Sequence, residues 1–263
     1  MTLPSQEAVP LRTGGAIPLV GFGTWRLSGR NSYEAVLHAL ATGYRHLDTA
    51  TMYGNETEVG QAMRNSGLSR EEIFLTTKLL QDDADNPAAA IDASLRRLGT
   101  GYVDLWLIHW PPGGRASPKT WEHVLTQREL GKTRAAGVSN YSTVQVDELI
   151  AATGDAPTVN QVRWSPAIYN PAFATESSER GVVLEGYSPL RATPLDDPRL
   201  VEVARQHGKS TAQVVLRWHI EHRVVVIPRS SNPKRIEDNF DLWGWSLTAD
   251  EVALLDRLSP MSA

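Results

Sequence analysis

Four side chains within the first 110 residues have the types and spacing to place a proton on a carbonyl oxygen: Asp48, Tyr53, Lys78 and His109. Each closes a short apolar run or lies just beyond one. GYRHLDTATMYG carries the acid and the phenol, EIFLTTK ends in the lysine, and VDLWLIHW reaches the histidine. Period-two alternation puts Phe74, Thr76 and Lys78 on one strand face, and Val103, Leu105, Leu107 and His109 on another. A free phenol titrates near ~10, so as an acid at neutral pH it needs a neighbour that favours phenolate. Lys78, held charged by Asp48, is that neighbour, and the pair predicts a lowered tyrosine pKa. His109 would donate a hydrogen bond to the same oxygen and orient it. Alone, each residue has a structural explanation as a cap, a turn aromatic or a core histidine. A lysine at such a strand end needs an acid beside it, and that need ties the set together.

Later strand ends say what could generate the oxyanion. Ser139, Asn140 and Gln161 offer hydroxyl and amide partners suited to a nicotinamide carboxamide, and Tyr187 offers a flat face for a ring. In VVVIPRSSNPKRIEDN, Arg229, Ser230, Ser231 and Arg235 surround the start of a helix, where backbone N–H groups and the dipole attract phosphate. Two arginines and two serines at a proline-started helix are more than a solvated cap needs.

These residues require a scaffold that brings strand ends together. Apolar runs recur with helical segments between them, from LVGFGTW through YRHLDTA, EIFLTTK, VDLWLIHW, TRAAGVSN, PTVNQV and VVLEGYSPL to VVVIPRS. Eight such β-then-α units in 263 residues predict an α/β fold, a single (β/α)8 TIM barrel over residues 1–263, with chemistry at the C-terminal strand ends. Asn86, Ser117 and Asn232, each before a proline, read as N-caps, and Gly43, Gly67, Gly99 and Gly131 as helix stops. The segment LVEVARQHGKSTAQVVLRWHIEHR reads as one longer helical stretch. VPLRTGGAIP reads as an N-terminal β-hairpin capping the barrel floor. An open doubly wound sheet would show G-x-G-x-x-G after its first strand, and LVGFGTWRLS lacks that spacing.

Hydrophobic residues at 41%, charged residues at 21% and a formal charge of −4 give no nucleic-acid footprint and no disordered tail. Without cysteine there is no disulfide framework and no thiolate metal site, and the composition suits a reducing cytosol. The start, MTLPSQEAVPLRTGG, lacks the features of a secretory signal, and no apolar run approaches the ~18 residues of a membrane span. The expectation is a cytoplasmic monomer acting on a small molecule, with no nucleic-acid, membrane or metal partner.

GYRHLDTATMYGNE, LTTKL, VDLWLIHWP, GVSN, VNQV, GYSPL and IPRSSNPKRIEDN resemble, in order and at similar intervals, the signature segments of the aldo-keto reductase superfamily. The resemblance covers nearly the whole chain and is nearest to small bacterial members of the diketogluconate reductase type. It implies a catalytic tetrad of Asp48, Tyr53, Lys78 and His109, with Tyr53 as the general acid. It also implies nicotinamide contacts from Ser139, Asn140, Gln161 and Tyr187. Pyrophosphate, 2′-phosphate and adenine contacts would come from Ser188, Leu190, Arg229, Ser230, Arg235 and Asn239. Gly23, Thr24 and Trp25 match a loop beside cofactor and substrate. The implied cofactor is NADPH, with NADH at lower preference, and the substrate a small carbonyl compound.

The departures are specific. Arg229 stands where many members carry lysine, Asp238 where many carry glutamate, and Arg163 and Ser165 where an acid and a histidine are common. The segment PLRATPLDDPRL is short for a loop that folds over the cofactor, and the chain stops at LDRLSPMSA, which predicts an open pocket. Trp25, Met52, Leu80 and Trp110 are the expected substrate walls, favouring apolar or aromatic carbonyls. His46 is placed inside the barrel below Asp48, with Glu185 below Tyr187 as its expected partner. Two other readings stay open: a Schiff-base enzyme of the class I aldolase type using Lys78, and a non-catalytic NADPH-binding regulatory subunit. A metal-dependent barrel hydrolase fits less well, because strands five and six end in poor metal ligands.

Overall fold

The computed structural model describes residues 7–258. The last residues of the tail expected to leave the pocket open lie outside the described residues, as do the first six of the chain. Eight short, mostly buried runs form a parallel sheet, because both faces of each run are covered. They are β3 (Phe22–Gly23), β4 (His46–Asp48), β5 (Phe74–Leu79), β6 (Val103–Ile108), β7 (Thr133–Ser139), β8 (Val159–Arg163), β9 (Val183–Tyr187) and β10 (Val225–Val226). Each pairs with the next in sequence order. The Val20–Val226 bridge joins the two ends, with Gly21 N–H donating to the Val226 carbonyl and Val226 N–H to that of Leu19, both at 2.8 Å. The sheet is thereby a closed (β/α)8 barrel, as the strand–helix alternation predicts.

The hairpin pairs β1 (Ala8–Pro10) with β2 (Ala16–Pro18). Its turn places Gly14 and Gly15 at φ 94° and 74°, left-handed backbone that glycine adopts without a Cβ penalty. Ile17 and Leu11 are buried, and the hairpin lies against Arg45, Ile73, Phe74 and Asp104, at the N-terminal ends of β4 to β6. The barrel floor is capped as expected.

Helices α1 (Gly29–Thr42), α2 (Glu56–Asn65), α3 (Pro87–Leu98), α4 (Pro118–Glu129), α5 (Thr143–Thr153) and α6 (Pro171–Glu179) follow successive strands. The Asn86 side chain accepts from Ala89 N–H, as an N-cap should. Ser117 does not cap: it sits at φ 57°, and its hydroxyl turns back toward the Pro112 and Arg115 carbonyls. Its left-handed backbone lies outside the extended conformation of an N-cap, whereas Asn86, also before a proline, keeps its cap.

The long segment expected as one helix is two, α7 (Pro198–His207) and α8 (Thr211–Glu221). Gly208 ends the first at φ 61°, and Ser210 with Gln213 forms a capping box that starts the second. After β10, Asn232 caps α9 (Pro233–Phe240), and a Thr248–Glu251 capping box opens α10 (Ala249–Asp256). No helix among the described residues is long and apolar enough to cross a membrane.

Gly60 shows packing overriding propensity. A Cβ at this position of α2 would stand 2.0 Å from the Leu98 carbonyl oxygen of α3. Alanine is intrinsically better than glycine inside a helix by about 0.8–1 kcal/mol. Gly60→Ala should nonetheless lower stability by about 1–3 kcal/mol, because backbone and not a flexible side chain must yield. Urea unfolding midpoints measure it, and a more stable variant would show that the α2–α3 contact is not rigid.

Candidate active site

β4 delivers Asp48 at its C-terminal end, and β5 delivers Lys78 beside it. The Lys78 Nζ lies 2.7 Å from both Asp48 carboxyl oxygens, 2.9 Å from the Thr49 carbonyl and 3.3 Å from the Tyr53 hydroxyl. Its side chain is fully buried. Because the ammonium donates to the phenol oxygen, the tyrosine's own proton is left to point elsewhere, and Tyr53 lines the open cleft.

Tyr53 ends a single 3-10 turn, Thr51–Tyr53, closed by Gly54 at φ 66°. The two residues that follow Gly54, absent from the expected site, pin this turn. Asn55 donates to the Thr24 and Leu27 carbonyls at 2.9 Å and accepts from Thr49 Oγ1 at 2.7 Å. Glu56 accepts from Thr77 Oγ1 at 2.6 Å and Arg97 Nε at 2.7 Å. Both are buried, so the segment that follows the phenol's turn is tied to β5, α3 and the first loop.

Burial raises the Tyr53 pKa above its ordinary value; Lys78 opposes the rise, and the Asp48 and Glu185 charges add to it. The expectation of a lowered phenol is therefore overturned for the free protein: desolvation outweighs the lysine. Lys78 is itself pushed down by burial but pulled up more strongly by Asp48 and Tyr53, so it ends above its usual value and charged. His109 is pushed down to about 3, by burial first and by Lys78 second. A neutral imidazole donates one N–H and does not give up a proton readily, so the site separates an acid from an orienting donor. The Tyr53 and His109 rings meet edge to face at 5.8 Å.

A cleft of about 630 Å³ opens above these residues. It is lined by Gly23, Trp25, Met52, Trp110, Ser139, Asn140, Gln161, Tyr187, Ser188, Leu190 and Arg229, besides Asp48, Tyr53 and His109. Asn140 and Ser188 hold left-handed backbone, φ 65° and 53°, uncommon for residues with side chains. Asn140 is fixed in it by donating to the His109 carbonyl and Ser139 Oγ and by accepting from the Tyr187 hydroxyl. Gln161 donates to Asp48 Oδ2 at 2.8 Å and Glu185 Oε2 at 3.0 Å, which leaves its amide carbonyl for the cleft.

Other expected residues stand apart from the lining. Thr24 is fully buried and donates to the Asp48 carbonyl, holding the first loop instead of facing the cleft. Leu80 is outside the lining, as are Ser230, Arg235 and Asn239, which lie around α9. The Ser230 hydroxyl accepts from Asn232 N–H at 3.0 Å, so its oxygen serves the turn before that helix. Arg229 and Arg235 are exposed, and neither makes an ion pair among the described residues. Arg163 and Arg191, not expected in the site, also line the cleft, and the Arg163 charge acts on Tyr187. Register could have flagged Arg163, since it sits two residues beyond Gln161 on the same strand face and opposite Tyr187. The donors fit a dinucleotide: an amide and hydroxyl cluster, a half-buried aromatic face, then a basic end.

The aldo/keto reductase family model matches residues 19–260. The glycerol 2-dehydrogenase (NADP(+)) of Saccharomyces cerevisiae is 38% identical over 97% of this chain and 91% of its own. A crystal structure of an aldo/keto reductase from Brucella melitensis superposes with a TM-score of 0.93 at 40% identity, covering 97% of this chain and all of that one. A Bombyx mori aldo-keto reductase solved in complex with NADP gives a TM-score of 0.90 at 32% identity, over 97% and 93% of the two chains. A barrel whose strand ends assemble Asp48, Tyr53, Lys78 and His109 below an open cleft, matched over nearly its whole length, belongs to the aldo/keto reductase family.

Proposed function

We propose that the protein is an NADPH-dependent reductase of small aldehydes and ketones. The observation that carries this is the Tyr53 hydroxyl, 3.3 Å from a buried, charged Lys78 and open to a cleft with a basic far end. When bound, the reduced nicotinamide supplies the hydride. Ser139, Asn140 and Gln161 orient its carboxamide, and Tyr187 supports the ring. The substrate oxygen lies between Tyr53 and His109; the neutral imidazole donates a hydrogen bond, and Tyr53 passes its proton to the oxygen as negative charge develops. Lys78 then stabilises the phenolate, with Asp48 balancing the lysine charge. Trp25, Met52 and Trp110, between 37% and 52% exposed, give the substrate an apolar and open wall.

A Schiff-base reading of Lys78 is disfavoured by the same geometry, because a nucleophilic amine must be neutral and reach the substrate. Here the ammonium is fully buried and committed to Asp48, Thr49 and Tyr53. A chain without cysteine is compatible with a reducing cytoplasm, where the enzyme is placed; it is proposed to act as a monomer, which light scattering tests.

Initial rates with NADPH and NADH on a panel of aromatic and aliphatic carbonyls test the reading, and turnover of none of them would overturn it. Arg235, exposed at the first turn of α9, is assigned to the 2′-phosphate. Arg235→Ala should lower kcat/KM for NADPH by about 10- to 100-fold, the worth of a charge-assisted hydrogen bond, and leave the NADH value near wild type. Equal losses with both cofactors would remove the assignment.

A further inference from the structure

Below the tetrad lies a second polar layer that the mechanism does not use. His46, two residues before Asp48 on β4, and Glu185, two before Tyr187 on β9, point inward from strands on either side of the barrel closure and are both fully buried. His46 Nε2 stands 3.5 Å from Glu185 Oε1 and shares a 3.2 Å hydrogen bond with Thr76 Oγ1, whose hydroxyl can rotate to donate elsewhere. Room for the imidazole comes from Gly21, where a Cβ would fall 2.5 Å from His46 Nδ1. Glu185 Oε2 accepts from Gln161, whose amide also donates to Asp48. Glu185 Oε1, by contrast, has no hydrogen-bond partner. An ionised carboxylate with a bare oxygen, buried without a formal partner of its own, is expensive. A proton on Oε1, facing the ring nitrogen of a neutral histidine, removes that cost.

We propose that Glu185 is a positioning residue of the active site: protonated on Oε1 toward His46, it anchors Gln161 through Oε2 so that the amide carbonyl faces the cleft, and its neutrality leaves the Lys78 charge to Asp48 and Tyr53. This rests on the reductase reading of the tetrad. The titratable groups facing Glu185 are His46 and Asp48 from β4, Lys78 from β5 and Tyr53 from the turn that follows β4; β8 contributes the Gln161 amide, and the register neighbour on β10 is Val225. Burial pushes Glu185 up to about 8; Asp48 adds to the rise, while Gln161 and Lys78 oppose it. Burial also holds His46 neutral, down to about 3. Above the glutamic acid's own titration a second anion sits beneath Lys78, and the Glu185 charge raises Tyr53 further. Tyr53 becomes a weaker acid without losing its proton, so the reductive rate drops to a lower plateau and not to zero.

The test is kcat for carbonyl reduction against pH, in wild type, Glu185→Gln and Glu185→Leu, with NADPH affinity measured by fluorescence quenching. Wild type should step down with a midpoint near 8. Glu185→Gln, neutral and able to accept from Gln161 while donating to His46, should keep the neutral-pH rate within about twofold and lose the step. Glu185→Leu should also lose the step and bind NADPH about tenfold more weakly, because Gln161 loses one of its two anchors and keeps only Asp48. A step of wild-type size in Glu185→Gln, or wild-type affinity in Glu185→Leu, overturns the proposal. If neither variant folds, infrared spectra of the wild-type protein decide it: a buried carboxylic acid band at about pH 6, gone by about pH 10, supports it, and no such band refutes it. Tyr53→Phe run alongside separates the two readings. A dead Tyr53→Phe with an unchanged step in Glu185→Gln sinks this inference alone, whereas an active Tyr53→Phe sinks the assignment of the tetrad.

Discussion

Tyr53→Phe is expected to lower kcat for carbonyl reduction by about 100- to 10,000-fold, the usual worth of a positioned general acid, with NADPH affinity close to wild type. The substitution removes one oxygen and keeps the ring that meets His109 edge to face and lies 4.9 Å from Lys78 Nζ. It leaves the Asp48 and Thr49 contacts of the ammonium in place, so the buried pair stays compensated and the fold should tolerate the change. None of the groups assigned to the nicotinamide depends on the hydroxyl. Single-turnover rates at saturating cofactor, with a fluorescence titration for binding, check both halves. A rate within about tenfold of wild type would move the proton donor elsewhere.

The second large effect is on stability in acid. His46 and His109 are held down to about 3 and His219 to about 4, in each case by burial first. These folded values lie below the unfolded one of 6.5, so the three histidines contribute stability that is fully present above 6.5 and is lost as pH falls through the folded values. Each histidine kept neutral below pH 6.5 costs the folded state about 1.4 kcal/mol for every further drop of one pH unit. Between pH 6.5 and about 4.5 the loss is on the order of 8 kcal/mol for the three together. Glu185 acts in the opposite sense. Its raised value contributes stability present below 4.5 and lost as pH rises through about 8, so it offsets part of the acid loss. The net change is comparable with the whole stability of a typical domain, and unfolding is expected near about pH 4–5. Urea titrations across this range measure the slope. His219→Gln should take away about a third of it, and an unchanged slope would assign the acid sensitivity to other groups.

Strand ends were the most legible part of this molecule. Asp48, Lys78 and His109 stand out because each closes an apolar run, and barrel topology turns three separate endings into one neighbourhood. Asn55 and Glu56 were not legible as site residues. Locally they read as a helix start, and the groups they hold, on Thr24, Leu27, Thr77 and Arg97, are far away in sequence. The split between α7 and α8 had a readable signal in Gly208 and Ser210, overshadowed by the apolar periodicity on either side. The pKa of Tyr53 could not be read from residue types at all. Its sign depends on how much water the folded site excludes, and that quantity exists only once the loops are packed. Thr24 and Leu80 show the converse limit, since proximity to a strand end does not say which side of the chain faces the cleft.

The barrel closes where β3 and β10, two residues each, meet through Val20 and Val226, with Gly23 N–H adding a contact to the Pro228 carbonyl. β6 and β7, by contrast, are paired over five registered positions. Opening fluctuations are governed by the weakest joint, so the ring should breathe there first, and amide exchange at Gly21 and Val226 should outpace that at Leu107. That joint carries Gly23 on one lip and Ile227, Pro228 and Arg229 on the other, all walls of the cleft. A ligand spanning the cleft acts as a rivet across the ring's own seam, and saturating it tightens the whole barrel by mass action.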